Sequence, residues 1–182
     1  RDQRRFEMAH RLQLVLCDGK RFRAGPSLVK RLALFFIDDA TRYVPTVVVG
    51  TEETAELFLR GLYLLLRQVG RFDAAYMDNG SGFIALDTAA VLASLKIGHI
   101  LGTAGYPPGR GKIERFNLTA QEHLLRHLAH PSVDPEPAAL ELRIAHFLRE
   151  KYNQWDHEGL GGETSPLERF LADERPLEPY ED

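Results

Sequence analysis

Two short stretches of the chain hold residues whose types and spacing could support chemistry on a phosphate. The first is Tyr-Met-Asp-Asn-Gly at positions 76–80, which contains Asp78, and the second is Gly-Lys-Ile-Glu-Arg-Phe-Asn at positions 111–117, which contains Glu114. Thirty-five residues separate these two carboxylates. Glu114 stands among basic residues at the start of a predicted helix, where cations can hold a polyanion while the carboxylate binds a metal ion. The pattern indicates a metal site.

Positive and negative charges are unevenly distributed along the chain. The net charge is −3 over 182 residues, but residues 1–31 carry nine Arg or Lys and three Asp or Glu, a net charge of +6. The last ten residues carry a net charge of −4. A basic N-terminal region suits contact with phosphates by one face of the molecule, and a solvated charged surface explains the charge alone equally well.

The composition is that of an ordinary globular domain, with 44% hydrophobic and 27% charged residues. The single cysteine, Cys17, excludes an internal disulfide and a multi-cysteine zinc motif, and it fits the cytoplasmic location that we expect. No apolar run approaches the roughly 20 residues that cross a bilayer, so no membrane partner is expected. The sequence starts at Arg1, which indicates a fragment of a longer protein. We expect one domain over residues 1–172 and an acidic tail over 173–182 whose composition is compatible with disorder.

Hydrophobic periodicity predicts three strands joined by short turns, followed by strands that alternate with helices. A basic turn is predicted over 20–26 and a mobile loop over 102–111. This order fits an α/β, ribonuclease-H-like fold, a mixed five-stranded sheet flanked by helices, with Asp18 and Asp78 at strand ends. The predicted strands are 12–18, 32–38, 46–50, 74–77 and 97–101. The predicted helices are one from a Thr51 cap to Gly70, then 86–95, 112–129, 137–155 and a short one after a Ser165 capping box.

The two motifs and their spacing resemble the catalytic core of retroviral-type integrases and DDE transposases, over roughly residues 12–170. The resemblance implies a catalytic, metal-binding triad of Asp18, Asp78 and Glu114 that holds Mg²⁺ or Mn²⁺, with two ions when DNA is bound. It implies DNA strand cleavage and strand transfer, the chemistry of DNA integration, recombination and transposition of a mobile element. It also implies element ends and target DNA as partners and a homo-oligomer, dimer or higher, and it allows a regulatory ATPase partner.

The first aspartate of the triad has competitors. Cys17-Asp18-Gly19 also fits a plain hairpin turn, and Asp38 or Asp39 could take its role. The stretch around Asp38 and Asp39 resembles a second-strand motif of the family in which the acids brace the following turn. Asp18 lies twenty positions before Asp38, the usual order in the family, and is therefore preferred.

Basic, amide and aromatic side chains near the triad are predicted to contact DNA. Tyr106 could stack on a base. Gln121 stands where many family members carry a lysine or arginine, which puts the strength of DNA-end binding in question. His123 and His127 have a spacing that suits zinc but lack a third ligand. The predicted DNA contacts are Lys20, Arg21, Tyr106, Arg110, Lys112, Arg115 and Asn117.

Two alternatives to a transposase or integrase stay open. One is a ribonuclease-H-like nuclease that cuts RNA–DNA hybrids or branched DNA. The other is a decayed core that only binds DNA or a protein partner. The Gly-Lys-Ile-Glu-Arg-Phe-Asn motif favours the transposase over the nuclease, and the presence of three acids argues against the decayed core.

Overall fold

The computed structural model describes residues 8–78, 82–102 and 107–181, and only the backbone of residues 107 and 108. The strands are β1 Val15–Ala24, β2 Val29–Asp38, β3 Thr46–Gly50, β4 Ala74–Met77 and β5 Gly98–Leu101. They form one sheet in the order β3-β2-β1-β4-β5. β1, β2 and β3 pair in antiparallel fashion, whereas β4 pairs in parallel with β1, and β5 with β4. The predicted meander and the mixed five-stranded sheet are confirmed.

Helices cover both faces of this sheet. They are α1 Ala55–Val69, α2 Leu86–Ser94, α3 Pro107–His123, α4 Pro137–Glu150 and α5 Pro166–Ala172. On the face that we call the α3 face, Leu16 of β1 shares a hydrophobic core with Phe116 of α3. On the opposite face, Cys17 shares a second core with Phe58 of α1. None of the helices in the described ranges has the length and apolar character needed to cross a membrane.

β1 continues well beyond its predicted end, so the predicted basic turn over 20–26 is wrong for most of its length. Residues 20–24 pair with residues 29–33 of β2. Phe22 is buried and Arg21 is exposed, which is the two-residue period of a strand with one polar face. The turn itself lies at Gly25, which has a φ of +75°. Asp18 therefore lies inside a strand and not at its end.

α1 begins three residues later than predicted. Thr54, and not Thr51, is the N-cap, because its side chain accepts a hydrogen bond of 3.1 Å from the backbone N–H of Leu57. Two threonines three residues apart offer the same capping chemistry, so the sequence does not distinguish them. The predicted end at Gly70 is confirmed. As a consequence, Glu53 precedes the helix and does not belong to its first turn.

The bounds of the later helices also differ from prediction. α3 begins at Pro107, inside the predicted loop, because proline is well tolerated in a first helical turn. It ends at His123, and a 3-10 helix, Leu125–Ala129, replaces the predicted last turn. α4 likewise gives way to a 3-10 turn at Tyr152–Gln154. The cap of α5 is confirmed, since the Ser165 side chain accepts a hydrogen bond of 3.1 Å from Glu168 N–H.

The acidic tail is ordered against the core over residues 173–181, so the compatibility with disorder inferred from its composition is not realised. Arg175 Nη2 lies 2.7 Å from a carboxylate oxygen of Asp73. The carbonyl of Glu178 accepts a hydrogen bond of 2.8 Å from Arg71 N–H. Tyr180 packs against the core opposite the α3 face. Specific polar contacts, which composition does not report, hold this segment.

Candidate active site

Asp18 and Asp78 are neighbours on adjacent parallel strands. The parallel ladder ends with the pair Cys17 and Met77, so Asp18 and Asp78 occupy the next position along each chain. Neighbouring strands lie about 4.8 Å apart, and residues in register point to the same face. Leu16, two residues before Asp18, lies in the core of the α3 face, which places Asp18 on that face. The charge of Asp78 raises the pKa of Asp18, as their proximity requires. The structure brings these two predicted ligands together.

The carboxylate of Asp18 is buried more deeply than an ordinary surface acid. Burial is the main reason that its pKa rises to about 6, and the charges of Asp78 and Glu53 add to the rise. The neighbouring Asn117 side chain and the charge of Lys20 lower the pKa and oppose this rise. Asp18 Oδ2 is buried and has no hydrogen-bond partner among the described residues. An unsatisfied buried carboxylate oxygen is costly, so this one requires an explanation.

A divalent cation would satisfy this oxygen. The Asn117 side chain lies beside Asp18 and lowers its pKa, and its Oδ1 is a second buried oxygen without a partner in the described part of the chain. Mg²⁺ and Mn²⁺ take carboxylate and carbonyl oxygens as ligands. A cation would also remove the repulsion between Asp18 and Asp78. The residues present therefore fit the predicted metal.

Glu114 does not gather with the two aspartates in this structure. It is exposed on α3, three residues before Asn117, and its charge is not among those that shift the pKa of Asp18. Within the described ranges, no three His, Cys, Asp or Glu side chains lie close enough to hold a metal ion. Three residues of helix rise by about 4.5 Å, so Glu114 lies within one turn of the residue that contacts Asp18. Its role as third ligand stays a prediction.

The competing acids brace the turn after β2. Asp38 Oδ2 accepts hydrogen bonds from Thr41 N–H at 3.2 Å and from Thr41 Oγ1 at 2.5 Å. Asp39 Oδ1 accepts a bond of 2.6 Å from Lys112 Nζ, and its side chain is fully buried. Donors satisfy these acids, whereas Asp18 Oδ2 has none among the described residues. The contrast favours Asp18 as the metal ligand.

Two of the predicted DNA contacts lie beside the aspartates. Lys20 lowers the pKa of Asp18. Burial and the charge of Asp78 raise the pKa of the Tyr76 hydroxyl, and Arg110 lowers it, so Asp78 and Arg110 both lie near this hydroxyl. Arg110 is exposed. A phosphate that approached the aspartates would therefore meet Lys20 of β1 and Arg110 of α3.

Other predicted DNA contacts already have protein partners. The side chain of Lys112 is only 10% exposed and pairs with Asp39. Arg115 forms an ion pair with Glu158. The Asn117 side chain lies beside Asp18 and lowers its pKa. These contacts give the three residues structural roles, and their contact with DNA stays a prediction.

The other residues that the sequence singles out are Arg21, Tyr106, Gln121 and His123. Arg21 and Gln121 are exposed, as contact with DNA requires. Tyr106 lies outside the described residues. The His123 ring packs edge-on against Trp155, with ring centroids 5.1 Å apart, which is an ordinary surface contact.

Glu53 is a further acid beside Asp18 that no sequence motif indicates. Its charge acts on Asp18, and its carboxylate accepts a hydrogen bond of 2.8 Å from Gly82 N–H, four residues after Asp78. With Thr51 as the predicted cap of α1, Glu53 would lie in the first turn of the helix, where an acid is common. Placing the cap at Thr54 is the one signal that would have put Glu53 in the connection between β3 and α1.

Known proteins support the predicted resemblance. No protein-family model matches the chain. The chain is 31% identical over 102 residues to the transposase for transposon Tn552 of Staphylococcus aureus, a match that covers 52% of this chain and 21% of that protein. The chain therefore spans about a fifth of the length of this relative.

Solved structures of viral integrases share the fold. The intasome of simian T-cell lymphotropic virus, in complex with the PP2A regulatory subunit B56 gamma, matches with a TM-score of 0.73 and 17% identity over 97% of this chain and 60% of its own. The HTLV-2 integrase catalytic core domain in complex with magnesium matches with a TM-score of 0.66 and 16% sequence identity. This match covers 89% of this chain and 98% of that chain. The catalytic core domain of BIV integrase matches with a TM-score of 0.63 and 21% sequence identity. This match covers 88% of this chain and 94% of that chain. With strand order, flanking helices and a transposase relative in agreement, the chain has the fold of an integrase-type catalytic core, as its motifs predicted.

Proposed function

We propose that this chain is the catalytic core of a DDE transposase or integrase, which cleaves a DNA strand and transfers it to a second DNA. The observation that carries the proposal is the adjacency of Asp18 and Asp78 on parallel strands, with a buried oxygen of Asp18 that lacks a partner among the described residues. The sequence similarity to the Tn552 transposase and the integrase fold support it. The biological outcome would be DNA integration or recombination by a mobile element.

Magnesium is the proposed resident ion, with Mn²⁺ as its substitute. The magnesium complex of the similar HTLV-2 core supports this choice. Asp18 and Asp78 would hold the ion, and Glu114 would complete the triad. When DNA is bound, two such ions would supply Lewis-acid stabilisation of the attacking and leaving oxygens of a phosphoryl transfer.

The residues of the chain prepare this chemistry. The Asn117 amide lies beside the Asp18 carboxylate, where it lowers the pKa of that acid and so favours its charged form. Lys20 and Arg110 provide positive charge on the two sides of the aspartates, where the phosphodiester would lie. Water would attack the first phosphodiester and break its P–O3′ bond, which gives a 3′-hydroxyl and a 5′-phosphate. That 3′-hydroxyl would then attack the target phosphodiester and break its P–O3′ bond, which joins the strands and releases a 3′-hydroxyl of the target. Water and a DNA hydroxyl are the nucleophiles in these two steps, so no protein side chain has to form a covalent intermediate.

Assembly and location extend the proposal. The HTLV-2 core is described in trimeric and dimeric forms, and the simian virus protein within an intasome, which supports a homo-oligomer on DNA here. A regulatory ATPase partner stays a prediction without support from these neighbours. A cytoplasmic location also stays a proposal, with which the free buried thiol of Cys17 is compatible.

A strand-transfer assay tests the function. The full-length protein is incubated with labelled duplexes that carry the terminal sequence of its own element, with plasmid target and Mg²⁺ or Mn²⁺. We expect Asp18→Asn, Asp78→Asn and Glu114→Gln each to reduce joined product at least about a hundredfold, because each removes ligand charge that stabilises the transition state by several kcal/mol. Glu122→Gln, a change at an exposed acid later on α3, is the matched control and retains activity.

The same assay separates the alternatives. Cleavage of RNA–DNA hybrids without any joined product would favour a ribonuclease-H-like nuclease. DNA binding without cleavage, unchanged by the three substitutions, would favour a decayed core. The observation that favours a decayed core is the exposed position of Glu114, which does not gather with the two aspartates among the described residues.

A further inference from the structure

Glu53 joins three parts of the chain that border the candidate active site. It lies in the connection between β3 and α1, and its Oε2 accepts a hydrogen bond of 2.8 Å from Gly82 N–H. Its Oε1 lies 3.1 Å from the place where a Cβ on Gly19 would stand. Gly19 directly follows Asp18, and Gly82 lies four residues after Asp78. One carboxylate thus connects the segments that follow both aspartates.

The packing around Glu53 leaves no space for a side chain on either glycine. A Cβ on Gly82 would come within 2.7 Å of the backbone oxygen of Glu53 and within 2.9 Å of its Cβ. A Cβ on Gly19 would come within 2.9 Å of the ring of Phe83, a residue that is almost fully buried and packs near Phe58. Such close approach indicates a built contact between these segments and not a chance surface pairing.

We infer that Glu53 is a positioning residue for Asp78: its hydrogen bond to Gly82 fixes the chain at residue 82, four residues after Asp78, near Gly19, the residue that follows Asp18. This inference rests on the proposed metal-dependent function, because it assigns the fixed geometry to metal binding. The charges of Glu53 and Asp78 both raise the pKa of Asp18, which agrees with the contacts of Glu53 near Gly19 and Gly82. Partners that orient metal ligands in this way commonly matter almost as much as the ligands.

Two substitutions separate the reach of Glu53 from its charge. Glu53→Asp keeps the charge but shortens the side chain by one methylene, so it loses the bond to Gly82. Glu53→Gln loses the charge but keeps a carbonyl oxygen at the same reach. Glu52→Ala removes a charge from the exposed neighbouring residue and is the matched control.

Hydrogen exchange in the metal-free protein tests the contact itself. We expect the Gly82 amide to exchange about tenfold faster in Glu53→Asp, the effect of losing one hydrogen bond, and within about threefold of wild type in Glu53→Gln. Amides of β2 should not change in either variant. Equal exchange at Gly82 in Glu53→Asp and wild type would overturn the inference.

Mn²⁺ affinity, followed through the electron paramagnetic resonance signal of the free ion, tests the assigned role. Glu53→Asp should bind Mn²⁺ about tenfold more weakly, whereas Glu53→Gln and Glu52→Ala should stay within about threefold of wild type. Weak binding by Glu53→Gln together with normal binding by Glu53→Asp would show a role of charge and overturn the positioning role. Normal binding by all variants would overturn this inference alone. Absence of Mn²⁺ binding by the wild type would instead overturn the proposed function.

Discussion

At the residue scale, Asp18 shows a conflict between stability and function. Burial raises its pKa to about 6, and Asp78 and Glu53 add negative charge nearby. A core built only for stability would avoid an acid whose Oδ2 lacks a partner among the described residues. Strain of this kind is commonly retained at functional sites, where a ligand relieves it. Asp38 and Asp39, whose oxygens have donors, show what a purely structural acid looks like in the same sheet.

His157 gives a pH-dependent prediction at a structural position. Burial, with smaller contributions from Arg42 and Arg115, lowers its pKa to about 4, and its Nδ1 accepts a hydrogen bond of 2.9 Å from Gly159 N–H. Because the folded protein holds the ring neutral, the stability contributed by His157 is complete above the unfolded pKa near 6.5 and is lost as the pH falls towards 4. We expect wild type to lose about 1 kcal/mol more than His157→Asn between pH 7 and pH 5.

Urea unfolding at the two pH values measures this difference. Asn at position 157 keeps an oxygen that can accept from Gly159 N–H but does not titrate. His127→Asn, at an exposed histidine, is the control and should follow wild type. Equal pH dependence in wild type and His157→Asn would contradict the prediction.

Lys112 and Arg110, two predicted DNA contacts on α3, should respond differently to substitution. Lys112 pairs with the fully buried Asp39, so Lys112→Met leaves a buried charge and should lower the free energy of unfolding by about 3 kcal/mol. Arg110 is exposed, so Arg110→Met should change stability by less than about 0.5 kcal/mol while weakening DNA binding and its salt dependence. Chemical denaturation and salt-dependent binding titrations measure both effects. A Lys112→Met variant of wild-type stability together with a destabilised Arg110→Met variant would contradict the prediction.

At the element scale, α3 connects the sheet to the site. Phe116 packs edge-on against Phe35 of β2 with ring centroids 4.8 Å apart, and Asn117, the next residue, lies beside Asp18 and lowers its pKa. The core contact therefore fixes the rotation of the helix that presents Asn117 to the aspartate. Glu114, one turn earlier, is carried by the same rigid element.

Two glycines in helices offer a matched test of these element assignments. Gly111 lies in α3 with no atom within 4 Å of an added Cβ, so Gly111→Ala should stabilise the protein by about 0.5–1 kcal/mol through helix propensity. Gly61 of α1 faces Phe36, whose ring lies 2.5 Å from an added Cβ, so Gly61→Ala should destabilise it by about 1–3 kcal/mol. Thermal unfolding of both variants measures the contrast. A destabilised Gly111→Ala would show that residue 111 is not helical.

The features that the sequence predicts correctly are those that depend on residues close together in the chain. The strand that ends before Asp78 and the Ser165 cap were predicted because apolar runs and capping residues act on their own neighbours. The extension of β1 past Asp18 was missed because pairing with β2, not composition, makes residues 20–24 a strand. The role of Glu53 was missed because its partner, Gly82, lies 29 residues away. Long-range contacts of this kind leave no mark on the local sequence.

At the scale of the whole molecule, the acidic tail closes the domain by joining its two ends. Arg11, near the start of the described chain, donates a hydrogen bond of 2.7 Å to the carbonyl of Phe170, and its backbone N–H donates one of 3.0 Å to Asp173. Its guanidinium also lies 5.1 Å from the centre of the Phe170 ring. These contacts lie on the side of the sheet opposite the α3 face, since Phe170 belongs to that core. The tail therefore supports the fold without covering the aspartates.

Removal of residues 173–182 should lower the free energy of unfolding by about 2–4 kcal/mol, since several hydrogen bonds of about 1 kcal/mol each are lost. Arg175→Met, which removes the pair with Asp73 and the hydrogen bond of 3.3 Å to the Arg11 carbonyl, should cost about 1 kcal/mol. Urea unfolding measures both, and Mn²⁺ binding by the truncated protein should be unchanged. A truncated protein as stable as the intact one would show that the tail is not docked in solution.

The central claim is that Asp18 and Asp78 form one divalent-metal site, and the position of bound Mn²⁺ tests it most directly. Crystals soaked in MnCl₂ and measured at a wavelength where manganese scatters anomalously would locate the ion. We expect an anomalous peak between the two aspartates, with ligand oxygens at about 2.1 Å from the ion, and its loss in Asp18→Asn. Crystals in which Mn²⁺ binds elsewhere, or in which the two carboxylates stay unbridged at saturating Mn²⁺, would contradict the claim.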